Sequence, residues 1–139
     1  MDDIKNLFIP DPEAERLDAI TEKVIGGAIA VQRALGPGLL ESAYEECLCY
    51  ELSQAKLSFE RQVPLPVTYK GINLDCGYRM DIVVEDKIVI EIKAVEKLIP
   101  VHDAQLISYL KLGKRPVGLL MNFHTSVLKN GLKRIVNKF

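Results

Sequence analysis

The chain has no tryptophan, only three cysteines in 139 residues, and no run of 18 apolar residues. Without such a run no segment reads as a transmembrane helix. Met1-Asp2-Asp3-Ile4-Lys5 lacks the basic start and apolar stretch of a signal peptide, so the expected location is cytoplasmic, with no membrane partner. Cys47, Cys49 and Cys76 are odd in number and lack a Cys-x-x-Cys pair, which supports neither a disulfide framework nor a zinc knuckle. They are expected to be reduced and mostly buried. With no tryptophan, few platforms exist for stacking bases, and base-specific recognition of single strands is not indicated. A Gly-x-Ser-x-Gly elbow, a Walker loop and a His-Glu-x-x-His pair are absent too, which removes the commonest serine-hydrolase, nucleotide and zinc-protease signatures.

What is present fits one soluble globular domain: 48% of the residues are hydrophobic and 27% charged. A chain of this length buries roughly two thirds of its unfolded surface, enough to hold a core without staples. The formal net charge of -1 at first argues against nucleic acid, whose partners are usually basic. By segment the picture differs. Residues 1–99 carry 11 Lys and Arg against 18 Asp and Glu, whereas residues 100–139 carry 7 against 1. Such a split marks a cation site at the acidic end and a partner-binding surface at the basic end, or merely solvated faces of different composition.

Residues 1–12, with Pro10 and Pro12 around Asp11, read as a loose leader to a single domain over 13–139. Leu17, Ile20, Val24, Ala28, Val31 and Leu35 recur at helical spacing. Gly36-Pro37-Gly38 stops that helix, and a second is predicted over roughly Leu40 to Lys56. Gly26-Gly27 reads as close packing inside the first helix. Phe59 to Tyr69, interrupted by prolines, reads as an edge strand. Leu74 to Val84 and Lys87 to Ala94 form a predicted hairpin. Pro100 opens a helix over Val101 to Leu112, Gly113 closes it, and Pro116 to Phe123 supplies a further strand. Thr125 to Phe139 spaces Val127, Leu128, Leu132, Ile135 and Val136 like a short basic helix, against which Gly131 counts.

The hairpin carries the chemistry. Alternation puts Glu91 and Lys93 on one strand face, about 7 Å apart, and Ile88, Ile90 and Ile92 on the other. A three-residue loop, Glu85 to Lys87, pairs Val84 with Ile88 and sets Asp81 opposite Glu91. A two-residue Glu85-Asp86 turn sets Asp81 opposite Ile90 and separates the carboxylates. Adjacent carboxylates repel, and a shared proton or a cation relieves them. Oxygen ligands favour Mg²⁺ or Mn²⁺, which polarises a phosphoryl oxygen and acidifies a bound water, while the Lys93 ammonium orients that water or steadies developing charge. The alternative is an ordinary half-exposed strand with Glu91 and Lys93 in water.

Asp81 followed by Glu91-Ile92-Lys93 on the next strand resembles the signature of the PD-(D/E)XK nuclease superfamily. Gln105-Leu-Ile-Ser-Tyr109 resembles the Gln-x-x-x-Tyr helix motif of its RecB-like members, and Gly38-Leu-Leu-Glu41-Ser-Ala-Tyr44 is similar to the motif that names the GxxExxY protein family, a branch of that superfamily. The resemblance implies an α/β fold with a restriction-endonuclease-like core, a central mixed β-sheet flanked by helices. It further implies metal-dependent hydrolysis of phosphodiester bonds in DNA or RNA. By the same carry-over Asp81 and Glu91 are metal ligands with the Ile92 carbonyl, Glu41 adds a carboxylate from its helix, and Lys93 is the catalytic lysine. The competing reading is a silent nuclease-like fold that binds nucleic acid or protein as a regulatory module. A small nuclease of this kind also invites a homodimer or a protein partner.

The remaining candidates keep two readings each. Glu41, three residues before Tyr44, sits in a first helical turn where a carboxylate suits the dipole as well as it suits a metal. Gln105 and Tyr109 share a helix face and either contact the substrate backbone or form a polar stripe; His102, one turn earlier, is a base or a solvated residue. Lys111, Lys114 and Arg115 follow that helix and are expected to flank phosphates, giving affinity and salt dependence without sequence specificity.

Overall fold

The computed structural model describes residues 11–137. Most of the predicted leader therefore lies outside the described residues, and its last two members begin the first helix. The Asp11 side chain accepts the Glu13 N–H at 3.0 Å, and Pro12 occupies a first-turn position where its missing N–H costs nothing. Helix α1 (Pro12–Leu35) buries Leu17, Ile20, Val24, Ala28 and Val31 of the predicted stripe, whose last member, Leu35, is exposed. It packs on α2 (Glu41–Gln54). A β-carbon on Gly27 would sit 3.0 Å from that of Glu51, so glycine there permits the close approach, whereas nothing lies near Gly26.

A five-stranded sheet follows in the order β1-β4-β5-β6-β7, formed by β1 (Phe59–Pro64), β4 (Arg79–Val84), β5 (Ile88–Lys93), β6 (Val117–Asn122) and β7 (Leu132–Val136). It is mixed: β5 and β6 run parallel, joined through α3 (Pro100–Gly113), and the other neighbours are antiparallel. A separate hairpin pairs β2 (Val67–Tyr69) with β3 (Ile72–Leu74). The predicted edge strand is thus divided between two sheets at Pro64-Leu65-Pro66, and Leu74 leaves the central hairpin for the small one.

Each face of the sheet has its own core. Helices α1 and α2 cover Ile82, Val84, Ile88, Ile90 and Ile92; α3 covers Met80, Val83, Val89 and Leu120 through Leu106, Tyr109 and Leu110. The near-continuous apolar runs of β5 and β6 follow from burial on both faces. The predicted C-terminal helix is not formed. Leu128–Gly131 makes a single 3-10 turn, and β7 then pairs with β6. A β-carbon on Gly131 would collide with the Asn122 carbonyl oxygen, so glycine is what lets the turn lie against the end of β6. Two smaller expectations change as well: Lys114, not Gly113, takes the left-handed cap of α3, and Cys76 is exposed.

Candidate active site

The hairpin adopts the register of the longer loop. Val84 pairs with Ile88 and Ile82 with Ile90, so the next step sets Asp81 opposite Glu91. Glu85 and Asp86 both take positive φ in the turn between them. Ladder pairing ends at Ile82, and side chains occupy the gap where the strands part. The Glu91 carboxylate accepts the Asp81 N–H at 3.2 Å, and the Asp81 carboxylate accepts the Ile92 N–H at 2.8 Å. Each acid is thereby held by the other's strand.

Glu91 is only 4% exposed. Burial, reinforced by the neighbouring Asp81 carboxylate, pushes its pKa up to about 8, and burial also raises Asp81. An ordinary half-exposed strand would do neither, so the solvated alternative for Glu91 falls. The pair is poised to share either a proton or a cation.

A cleft of about 290 Å³ opens beside Asp81, lined by Glu41, Ser42, Glu45, Gln62 and Ile92. Glu41 stands at the start of α2 and accepts the Ala94 N–H at 3.3 Å, which ties the helix to the end of β5. Tyr44 explains why α2 begins there. Its hydroxyl donates to the Gly36 carbonyl at 2.6 Å and accepts the Leu39 N–H at 3.1 Å, while its ring stacks on Phe123 at 4.6 Å. It closes the turn containing Gly38, whose φ of 106° favours glycine. Within the Gly38, Glu41, Tyr44 pattern, only Glu41 reaches the cleft.

Two residues of this cleft escaped sequence reasoning. Glu45, one helical turn after Glu41, is 7% exposed and accepts from Arg61 at 2.7 Å and from Gln62 at 2.8 Å. Its four-residue spacing from Glu41 was the available signal. Gln62 carried none, because its position depends on a positive φ of 49° that interrupts β1 opposite Asp81.

On the α3 side, the Lys93 ammonium lies 3.2 Å from Gln105 Oε1, and Gln105 Nε2 donates to the Tyr109 hydroxyl at 3.2 Å. The two predicted motif residues therefore form a relay to Lys93. Tyr109 is buried, and burial followed by the Glu91 charge raises its pKa. His102 accepts the Ile99 N–H at 3.0 Å and caps α3. Asn122 bonds both the N–H and the carbonyl of Val95, and Phe123 N–H donates to the Lys93 carbonyl, which fixes the end of β5.

The basic residues after α3 are not brought to the carboxylates. Lys114 and Arg115 precede β6, whose first residue pairs with Ile88, and Arg115 bonds Asp86 in the hairpin turn at 3.0 Å. That is the opposite end of β5, about 10 Å along the strand from Glu91 and about 17 Å from Lys93. Lys111 lines a groove with Ile135 and Val136 of β7. Chain direction explains the difference, since a parallel crossover returns to the strand's start.

Among the described residues, no group of three or more His, Cys, Asp and Glu is disposed to hold a metal, and no helix is long and apolar enough to cross a membrane. Two hard carboxylates are nonetheless sufficient for Mg²⁺, which usually retains waters and is completed by substrate phosphates. The donor chemistry at Asp81 and Glu91 fits such an ion. No curated protein and no solved structure matches the chain. A family model described as the PD-(D/E)XK nuclease superfamily matches residues 18–135, a span that contains both core layers and every side chain of the cleft, and the chain belongs to that superfamily.

Proposed function

We propose that this chain is a metal-dependent nuclease that hydrolyses phosphodiester bonds in DNA or RNA, and that it belongs to the GxxExxY branch through Gly38, Glu41 and Tyr44. The observation that carries the reading is the reciprocal Asp81–Glu91 pair, buried at the divergence of two strands with Lys93 beside it. Asp81 and Glu91 would hold Mg²⁺ or Mn²⁺, with the Ile92 carbonyl and Glu41 as further ligands. A bound divalent ion supplies Lewis-acid polarisation of a phosphoryl oxygen and lowers the pKa of water.

The chain's own residues do the rest. Lys93 donates to the attacking water or to the phosphoryl oxygen on which negative charge grows. Gln105, fixed by Tyr109, is a positioning residue that points the Lys93 ammonium. Net reaction adds water across one P–O ester bond: hydroxide stays on phosphorus, and the departing oxygen takes the proton.

Purified protein incubated with labelled DNA and RNA should cut in Mg²⁺ and stop on chelation, and Lys93→Ala should lose activity by at least about 100-fold, the scale for removing one transition-state donor. Cleavage by that variant at the wild-type rate would falsify the assignment. Mg²⁺ should also raise the melting temperature of the wild type and leave Asp81→Ala unmoved. No shift in the wild type, with no cleavage, would favour a binding module on a nuclease fold.

A further inference from the structure

We propose that the cavity beside Lys93 receives an unpaired nucleobase, so that the substrate is single-stranded or frayed nucleic acid; this deepens the nuclease reading and rests on it. The cavity measures about 630 Å³ and opens between α3 and the β2–β3 hairpin. That lies within the roughly 300–1,000 Å³ of small-ligand sites, ample for a base and its sugar. Its lining combines Tyr78 and Tyr109 with the polar groups of Lys93, His102, Gln105 and Ser108.

Position relative to the carboxylates argues for a nucleotide. Lys93 stands two residues after Glu91 on the same face of β5, and it lines the cavity as well. A phosphate between Glu91 and Lys93 therefore has its own sugar and base within reach of this space. The Tyr78 ring is held edge-on by Tyr109, with centroids 5.9 Å apart at 62°, and stays 44% exposed. A fixed, partly open aromatic ring is what an unstacked base requires, and it is sequence-tolerant because every base has a π-face. A base inside a closed duplex must first leave its stack and its partner, which disfavours duplex here.

The hairpin extends the same surface. Its register puts Val67, Tyr69, Ile72 and Leu74 on one face and the hydrogen-bonded Thr68–Asn73 pair on the other. Val67 lines the cavity, Tyr69 and Ile72 are each 60% exposed, and Lys70 lies 5.5 Å from the Tyr69 ring centre. An apolar strip with a second tyrosine and a cation suits the next base and phosphate along a strand. Scarcity of aromatics in the sequence argues against base-specific recognition of single strands, and sequence-tolerant stacking needs fewer rings: three of the five tyrosines gather on this side of the molecule.

Fluorescence anisotropy in Ca²⁺, with a short labelled oligonucleotide offered as single strand, blunt duplex and single strand with abasic sites, tests this. The intact single strand should bind tightest. Tyr78→Ala, and Ala104→Trp, which fills the cavity from an exposed helix position, should each weaken it roughly 5- to 100-fold, with Tyr78→Phe near wild type. Equal affinity for duplex and single strand, or unchanged affinity in both cavity variants, overturns the proposal, and Mg²⁺-dependent cleavage of duplex would then leave the nuclease reading standing. Absence of binding and cleavage on every substrate overturns both. A dimer that dissociates on Ile72→Glu, with oligonucleotide affinity unaltered by that change and by both cavity variants, assigns this face to a second copy of the chain and overturns the proposal as well.

Discussion

Glu91 concentrates the conflict between stability and chemistry in one side chain. Its folded pKa of about 8 stands above the ordinary value of 4.5, so the folded chain holds this proton more tightly than the unfolded one. Stability from this group is complete below about pH 4.5 and is lost as pH rises through about 8, with a slope of up to about 1.4 kcal/mol per pH unit. Glu91→Gln copies the protonated acid, keeps an acceptor for the Asp81 N–H, and cannot ionise. Chemical denaturation without metal should therefore show wild-type stability falling between pH 5 and pH 9 along a steeper line than that of Glu91→Gln, with the variant the more stable at pH 9. Parallel lines would show that Glu91 is not the group in conflict. Tyr44 presents the opposite case, a motif residue whose polar atom is spent on structure. Tyr44→Phe leaves the Gly36 carbonyl and the Leu39 N–H without their partner, at a cost of about 1–3 kcal/mol, and loosens the turn that delivers Glu41. Equilibrium unfolding should register that loss; an unchanged midpoint would mean the turn holds without it.

Among the elements, β7 separates two incompatible readings of the same residues. Val127, Leu128, Leu132, Ile135 and Val136 satisfy helical spacing, but pairing with β6 prevails, as tertiary context commonly does over a short amphipathic segment. Gly131→Ala discriminates them by sign. In a helix the change would stabilise by about 1 kcal/mol; against the Asn122 carbonyl it should destabilise by about 1–3 kcal/mol, the scale of overpacking, as a denaturant midpoint would reveal. The elements carrying the site were more legible. Long apolar periodicity identified α1, and the β5 alternation separated Ile88, Ile90 and Ile92 from Glu91 and Lys93. The register stays open between two turns in the sequence, which does not state that Glu85 and Asp86 both adopt positive φ. Gln62 was invisible for the same reason, and the path of α3, which carries Lys114 and Arg115 away from the carboxylates, depends on the direction of β6. Spacing thus conveys which side chains share a face, while backbone signs and chain direction decide what that face meets.

At the scale of the whole molecule, folding offsets part of the division into acidic and basic segments. Arg115 pairs with Asp86, Arg134 with Asp18, and Lys133 with Asp103, so these cations spend their charge on the chain's own carboxylates. Arg79 and Lys97 differ. They leave the carboxylate end of β4 and β5, two residues before Asp81 and four after Lys93, and neither has a carboxylate at ion-pair distance among the described residues. Nucleic acid that reaches Glu91 and Lys93 passes this end of the sheet. Each phosphate neutralised there contributes about 0.7–0.9 to the slope of log affinity against log salt. Arg79→Ala and Lys97→Ala should each reduce that slope by about this amount, measured by anisotropy over a salt series, whereas Arg115→Ala should leave it unchanged. The reverse result would move the nucleic-acid path to the far end of β5, where the carboxylates could not reach the phosphate being cut.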